Sequence, residues 1–277
     1  MNHRLLLVLV AASCSLGVAR SDDASPDEFL RNGVTAHRGN SSEHPENTMP
    51  AFASGLESGA DWIELDVFLS RDGKLVVVHD RTTGRVGDAD LVVPESTYEE
   101  LKRVDVATDF RRRAGRTIEE VPSQAIPLLE DVLRLAMAQR RARVSIQPKM
   151  DCVAEAVALV KALGAEAWVG FNDGNLAYMS EVKRLAPGLP VFWDRPADSD
   201  VDADVRIARE RGFEALVVHH AGLTREKVDK IHAAGLSAGA WTVDDPELMR
   251  ELLNLGVDRL YTDRPRILLA IKAEPAR

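Results

Sequence analysis

Short β-rich runs alternate with amphipathic helical patterns from residue 33 to residue 262, and this alternation constrains the fold more than any other feature. It predicts a parallel sheet whose strands are joined by helical crossovers. The predicted strands are GVTAH (33–37), WIELDVFL (62–69), LVVVH (75–79), RVSIQ (143–147), AWVGF (167–171), PVFW (190–193), ALVVHH (215–220), SAGAWTV (237–243) and RLYT (259–262). The predicted helices are 48–59, 128–140, 152–164, 175–186, 202–212, 224–235 and 246–256.

The number of strands favours a closed barrel. Eight or nine strands within about 240 residues fit a (β/α)8 barrel, and 277 residues suit one large α/β domain. An open, doubly wound sheet is the alternative. The chain has neither GxGxxG after a strand nor GxxxxGK followed by Ser or Thr, so no nucleotide fingerprint supports that alternative. We expect an α/β protein with a single (β/α)8 TIM-barrel domain over residues 33–270.

One connection departs from the alternation. Only twelve residues separate Asp66 from His79, and they contain a turn signal at Asp72-Gly73. A helical crossover needs about a dozen residues for itself, so a β-hairpin between the second and third strands fits better. A turn centred on Asp72-Gly73 places Asp66 directly opposite His79. The hairpin also leaves nine strand candidates for eight barrel positions.

The first residues are typical of an export signal. Residues 1–19 combine an early Arg4, a short apolar run and a small-residue end, and residues 20–32 form a polar lead-in. We expect a signal peptide that is cleaved after Ala19, a periplasmic or secreted protein, and no stable membrane insertion after cleavage, because the apolar run is too short to span a bilayer. Lipidation at Cys14 is the alternative.

The net charge of −9 makes the chain a poor candidate for binding nucleic acid, since nucleic-acid surfaces require basic patches. The sequence leaves the oligomeric state open. A small molecule is therefore the expected partner.

Polar residues with complementary chemistry gather at the predicted strand ends, which in a barrel meet at one face. Two carboxylates that lie two residues apart on one strand share a face and suit a hard cation such as Mg²⁺ or Ca²⁺. Two histidines suit acid–base catalysis, and an arginine and a lysine suit a phosphate. Together they predict a phosphoester-cleaving site. These residues are Glu64 and Asp66, His37 and His79, and Arg38 and Lys149.

The same residues lie in motifs that resemble those of the glycerophosphodiester phosphodiesterases, within the phospholipase C-like phosphodiesterase superfamily. The motifs are AHRG (36–39), PENT (45–48), IELDV (63–67), the DG turn (72–73), VVVHD (76–80), IPLLEDVL (126–133) and the C-terminal WTVDDPELMRELLNLGVDRLYTDRP (241–265). The resemblance spans residues 33–265. It implies a (β/α)8 barrel and metal-dependent hydrolysis of glycerophosphodiesters to glycerol 3-phosphate and an alcohol.

The resemblance also implies roles for individual residues. His37 and His79 match the catalytic acid and base, and Arg38 and Lys149 match phosphate-contacting residues. Glu64 and Asp66 match ligands of a divalent cation, either Mg²⁺ or Ca²⁺. Glu46, in PENT, matches a position next to the site, and Trp241 matches an aromatic residue of the pocket wall.

The sequence departs from the family at the third metal ligand. The family places Glu-x-Lys at the end of the fourth strand, whereas this chain has Gln147-Pro148-Lys149. A glutamine oxygen still coordinates a hard cation but adds no charge, so we expect weaker metal binding than with three carboxylates. Residues 81–125 form the longest irregular stretch, and we expect a loop over the pocket there.

Two other functions stay open from the sequence. One is a related phosphodiesterase with another substrate, such as a lysophospholipase D or a phosphoinositide-type enzyme. The other is a noncatalytic phosphate-binding protein, which the replacement at Gln147 motivates.

Overall fold

The computed structural model describes residues 33–274 and shows a closed barrel of eight parallel strands with one further strand attached. The strands are β1 (Gly33–Ala36), β2 (Trp62–Leu69), β3 (Leu75–Val77), β4 (Arg143–Pro148), β5 (Val169–Asp173), β6 (Val191–Arg195), β7 (Ala215–His219), β8 (Ser237–Trp241) and β9 (Arg259–Thr262). The barrel closes because β1 pairs in parallel with both β2 and β9. The predicted TIM barrel is confirmed, and β3 is the ninth strand, which does not belong to the barrel.

Ten α-helices lie in the described part of the chain. They are α1 (Met49–Ser58), α2 (Tyr98–Leu101), α3 (Thr108–Ala114), α4 (Leu129–Gln139), α5 (Val153–Leu163), α6 (Leu176–Leu185), α7 (Val201–Arg211), α8 (Arg225–Ala233), α9 (Pro246–Asn254) and α10 (Pro265–Lys272). Helix α10 was not predicted and extends the domain past residue 270. Between residues 33 and 274, no helix has both the length and the apolarity to span a bilayer. The predicted signal peptide and the whole of the lead-in lie outside the described residues.

Two apolar layers hold the barrel together. A large cluster fills the space between the strands and the surrounding helices. Inside the barrel, Trp62, Phe192 and Tyr261 pack together, and the guanidinium carbon of Arg259 lies 3.8 Å from the ring centroid of Phe192. Arg259 is itself only 1% exposed. This filled interior is typical of TIM barrels, and it leaves the carboxyl ends of the strands as the place for a cavity.

The predicted hairpin is present, but its predicted register is wrong by one residue. Val67 pairs with Val77, and the backbone N–H of Val78, rather than His79, donates to the carbonyl oxygen of Asp66 at 3.0 Å. The turn holds three residues rather than two, because Ser70 pairs with Lys74 and Gly73 adopts a φ of 75°. A left-handed glycine at the end of a three-residue loop is a common hairpin geometry. His79 therefore reaches the site from beyond the end of β3.

Residues 81–125 are a packed subassembly rather than an open loop. They contain α2, α3 and a 3-10 turn at Val93–Glu95. Their apolar side chains pack against the outer face of the hairpin and form a second cluster with it. The buried members of this cluster are Phe68, Val76, Val78, Val86, Val93, Leu101, Val104, Val106 and Ile126. The hairpin is thereby held between the barrel and this subassembly, which fixes the position of the chain just after β3.

Candidate active site

A cavity of 560 Å³ opens at the carboxyl ends of the barrel strands, where the sequence predicts the site. Seven of the nine predicted site residues line it, namely His37, Arg38, Glu64, His79, Gln147, Lys149 and Trp241. Asp66 is fully buried next to them, and Glu46 lines a neighbouring cavity of 320 Å³ that also touches His37 and Arg38. No residue of 81–125 lines the larger cavity, so the prediction of a loop over that pocket is wrong. Arg85, Asp109 and Arg113 line the smaller one instead.

Two buried carboxylates project from β2 into the barrel. Glu64 is 1% exposed and Asp66 is 0% exposed. Burial raises the pKa of Glu64 to about 7, and repulsion from Asp66 adds to this shift, whereas His37 and Arg38 oppose it. A carboxyl group with such a pKa loses its proton readily when a cation binds beside it.

Three groups compensate Asp66. Its Oδ2 accepts a hydrogen bond of 2.8 Å from Asn47 Nδ2 and lies 3.4 Å from Arg38 Nε. Lys149 Nζ lies 3.6 Å from its other oxygen, Oδ1, which is buried and accepts no hydrogen bond from the described residues. Buried charges are tolerated only with such partners. Arg38 and Lys149, which the sequence predicts to contact a phosphate, therefore also stabilise this carboxylate.

The loop after β1 adopts a strained backbone to reach these carboxylates. Arg38 and Asn47 both have φ of 56°, in the left-handed region that side chains disfavour. The Arg38 N–H donates to Glu64 Oε2 at 3.0 Å, and the Asn47 N–H donates to the Arg38 carbonyl oxygen at 3.0 Å. Strain that is held by such contacts is common at functional sites.

Each candidate catalytic histidine has a carboxylate on its Nδ1. His37 Nδ1 lies 2.8 Å from Asp263 Oδ1, and His79 Nδ1 lies 2.7 Å from Asp80 Oδ1. A carboxylate accepts hydrogen bonds only, so Nδ1 of each ring carries the proton, and Nε2 of the His79 ring is left to accept from Lys149 Nζ at 3.2 Å. Both rings line the cavity.

The surroundings move the pKa values of the two histidines in opposite directions. Burial disfavours the charged form of His37, but its bond to Asp263 and the charge of Glu64 outweigh burial and raise its pKa above the usual 6.5. For His79 burial also acts first, and the nearby Arg38 and Lys149 oppose the effect of its acidic neighbours, so its pKa is lowered.

Lys149 connects the histidine to the fourth strand. Its Nζ lies 3.2 Å from His79 Nε2 and donates to Gln147 Oε1 at 3.1 Å. The amide nitrogen of Gln147 donates to Asp194 Oδ2 at 3.2 Å. Gln147 thus lies between a cation and a carboxylate.

Several residues of the site were missed by the sequence reasoning. Asp80 and Asp263 lie inside the quoted motifs VVVHD and TDRP, and their positions next to strand ends were a usable signal. Asn172 and Asp194 lie at the ends of β5 and β6, where the strand assignment alone would have pointed to them. Arg85 lies in the region that was read as irregular, and no local pattern distinguishes it from other arginines there.

The far wall of the cavity is less polar. Trp241 packs edge-to-face against His219, with ring centroids 5.0 Å apart. Gly174, Pro196 and Ala197 continue this wall. A surface of this kind suits the alcohol part of a diester more than its phosphate.

The donor atoms present fit a hard cation. Among residues 33–274, no three His, Cys, Asp or Glu side chains converge on one point as a metal cluster. Glu64, Asp66 and the Gln147 amide nevertheless provide oxygen atoms on neighbouring strands, and the buried Asp66 Oδ1 accepts no hydrogen bond within residues 33–274. Oxygen donors are those that Mg²⁺ and Ca²⁺ prefer.

Comparisons with known proteins agree with this geometry. The model of the glycerophosphoryl diester phosphodiesterase family matches residues 37–267. A glycerophosphodiester phosphodiesterase of Bacillus altitudinis is 32% identical over 251 residues, covering 87% of this chain and 98% of the relative. The crystal structure of glycerophosphodiester phosphodiesterase from Agrobacterium tumefaciens has a TM-score of 0.74 at 26% identity and covers 86% of this chain and 99% of that one.

A second solved structure shares the fold at lower identity. It is a phosphodiesterase of Oleispira antarctica in complex with the product sn-glycerol-3-phosphate, with a TM-score of 0.75 at 23% identity, and it covers 90% of this chain and 99% of that one. With a family match over most of its length and a curated relative above 30% identity, the chain belongs to the glycerophosphoryl diester phosphodiesterase family and is a phosphoric diester hydrolase.

Proposed function

We propose that the enzyme uses a divalent cation and two histidines to hydrolyse glycerophosphodiesters to glycerol 3-phosphate and an alcohol. The observation that supports this most is that two buried carboxylates, two cationic side chains and two histidine–carboxylate pairs surround one cavity. The Oleispira phosphodiesterase binds the product sn-glycerol-3-phosphate, and glycerol 3-phosphate is the product that we propose for this enzyme.

Each residue has a role that follows from its position in the cavity. Arg38 and Lys149 contact the phosphoryl oxygens and offset the charge that develops there. His37 and His79 exchange protons with the attacking hydroxyl and the leaving alkoxide through their Nε2 atoms. Trp241 and the apolar wall hold the alcohol.

Glu64, Asp66 and Gln147 would hold the cation. The chemistry that Mg²⁺ or Ca²⁺ would supply there is that of a Lewis acid, which would polarise a phosphoryl oxygen and favour deprotonation of the attacking hydroxyl group. In the structure, Arg38 and Lys149 lie close enough to Asp66 to neutralise part of its negative charge.

The apolar wall favours a second candidate substrate class. A lysophospholipid carries an acyl chain that Trp241, Pro196 and Ala197 can contact. A panel of glycerophosphocholine, lysophosphatidylcholine and a phosphoinositide distinguishes these substrates. Export is proposed as well, on the pattern of residues 1–19.

The primary test measures glycerol 3-phosphate release from glycerophosphocholine by the protein lacking residues 1–19. We expect release with Mg²⁺ or Ca²⁺ and at least a hundredfold loss in EDTA. We expect a similar loss in kcat for His37→Ala and for His79→Ala, because general acid–base catalysis contributes about 10² to 10⁴-fold. Near wild-type turnover by either variant contradicts the two-histidine assignment, and binding of phosphate without turnover by the wild type supports the noncatalytic alternative.

Arg85 is expected to position His79. Its guanidinium donates to both oxygens of Glu46 at 2.8 and 2.6 Å and also contacts Asp80, the partner of His79. Glu46 in turn accepts from Arg38 at 2.9 Å. The Arg85 bond and the charge of Arg38 outweigh burial and lower the pKa of Glu46 to about 2, so this link stays charged at neutral pH.

Arg85→Ala should therefore lower kcat by about tenfold to a hundredfold, since bonds to charged groups contribute about 1.5–3 kcal/mol. KM should change less, because Arg85 acts through Asp80. Arg81→Ala is the matched control, since Arg81 pairs with the exposed Glu95 in the same segment. Equal kcat values for the two variants would show that Arg85 does not position His79.

The pKa of His37 should show whether a cation is bound beside Glu64. The negative charge of Glu64 is one cause of its raised value, so a cation on Glu64 should lower it. NMR titration of the imidazole signals should show a lower His37 pKa with saturating Ca²⁺ than in EDTA. The signals of His232, which pairs with Asp258, should not move when Ca²⁺ is added. An unchanged His37 pKa means that no cation binds beside Glu64.

A further inference from the structure

A carboxylate lies beside the amide that replaces the family's third acidic ligand. Gln147 Nε2 donates to Asp194 Oδ2 at 3.2 Å, and Asn172 Nδ2 donates to the same oxygen at 3.1 Å. The other oxygen, Oδ1, is buried and accepts no hydrogen bond within residues 33–274. The acidic group missing from position 147 is thus present one hydrogen bond away.

The barrel explains how the three side chains meet. Gln147, Asn172 and Asp194 belong to β4, β5 and β6, which are neighbours in the sheet. All three line the cavity. A residue near the end of β6 therefore reaches the end of β4 across a single intervening strand.

The neighbours of Gln147 allow only one orientation of its amide. The Lys149 ammonium group is a donor only, so it must face Oε1, and this leaves Nε2 to donate to Asp194 Oδ2. Lys149 Nζ is also 3.6 Å from Asp66 Oδ1. The Gln147 oxygen therefore faces the side of the site where Asp66 lies.

We propose that Gln147 and Asp194 act as a pair in place of a single acidic ligand. Gln147 presents its oxygen to the cation, and Asp194 orients that oxygen through the hydrogen bond that it accepts from Nε2. Partners in the outer shell of metal ligands commonly act in this way. The inference rests on the proposed cation site.

The chain offers a matched control. Asp173 lies at the end of β5 and accepts a hydrogen bond from the Asn175 backbone at 2.6 Å. Asp173→Asn removes a charge near the site without removing a contact to Gln147. This variant therefore distinguishes the loss of the hydrogen bond to Gln147 from the loss of a nearby carboxyl group in general.

Calorimetric titration with Ca²⁺, without substrate, tests the pair. Asp194→Asn should weaken Ca²⁺ binding by about tenfold to a hundredfold, as outer-shell substitutions do. Asp173→Asn should weaken it by less than about threefold, within the range of weak, screened charge interactions. Thermal unfolding in EDTA shows whether each variant is folded.

Gln147→Glu provides the second measurement. In the wild-type background it adds a charge but places a carboxylate against Asp194, so Ca²⁺ affinity should rise by less than about threefold. In the Asp194→Asn background the new glutamate accepts from the asparagine amide, and the same substitution should strengthen binding by at least about tenfold.

Three results overturn the pair alone. Asp194→Asn could bind Ca²⁺ as tightly as the wild type, or the two substitutions could be additive. Gln147→Glu alone could raise affinity by about a hundredfold, a result that can be read even if Asp194→Asn does not fold. A wild type that binds neither Ca²⁺ nor Mg²⁺ overturns the proposed cation dependence together with the pair, whereas the other results leave that dependence intact.

Discussion

The burial of Glu64 and Asp66 at the carboxyl end of β2 is the constraint on which the rest of the site depends. Two like charges this close, with 1% and 0% exposure, are unstable unless cations surround them. Arg38 and Lys149, which follow the ends of β1 and β4, meet that requirement for Asp66. The same two side chains suit a phosphate, so the groups that stabilise the carboxylates are those proposed to bind the substrate.

The fold supplies this arrangement at low cost. A parallel barrel brings the ends of all its strands to one face, where polar side chains face a cavity above an apolar interior. The hairpin adds a histidine that no barrel strand carries. Its packed outer subassembly fixes both His79 and Arg85, and Arg85 connects the second histidine to Glu46 and Arg38.

The strands were predictable because alternation and β-rich composition are local signals, and all nine boundaries agree within two residues. The hairpin register was not, because the choice between a two-residue and a three-residue turn depends on the backbone of Gly73. The substitution at Gln147 was visible in the sequence, but its partner Asp194 is 47 residues away and is identified only by the closed barrel. What remained hidden was pairing between distant residues.

The position of the cation and the phosphate is the most direct test of this account. Crystals grown with Mn²⁺ and glycerol 3-phosphate would locate the ion by its anomalous scattering. The account predicts one ion in contact with Glu64, Asp66 and Gln147, and a phosphate in contact with Arg38 and Lys149. An ion bound away from the two carboxylates of β2, or a phosphate without contact to either cation, would contradict it.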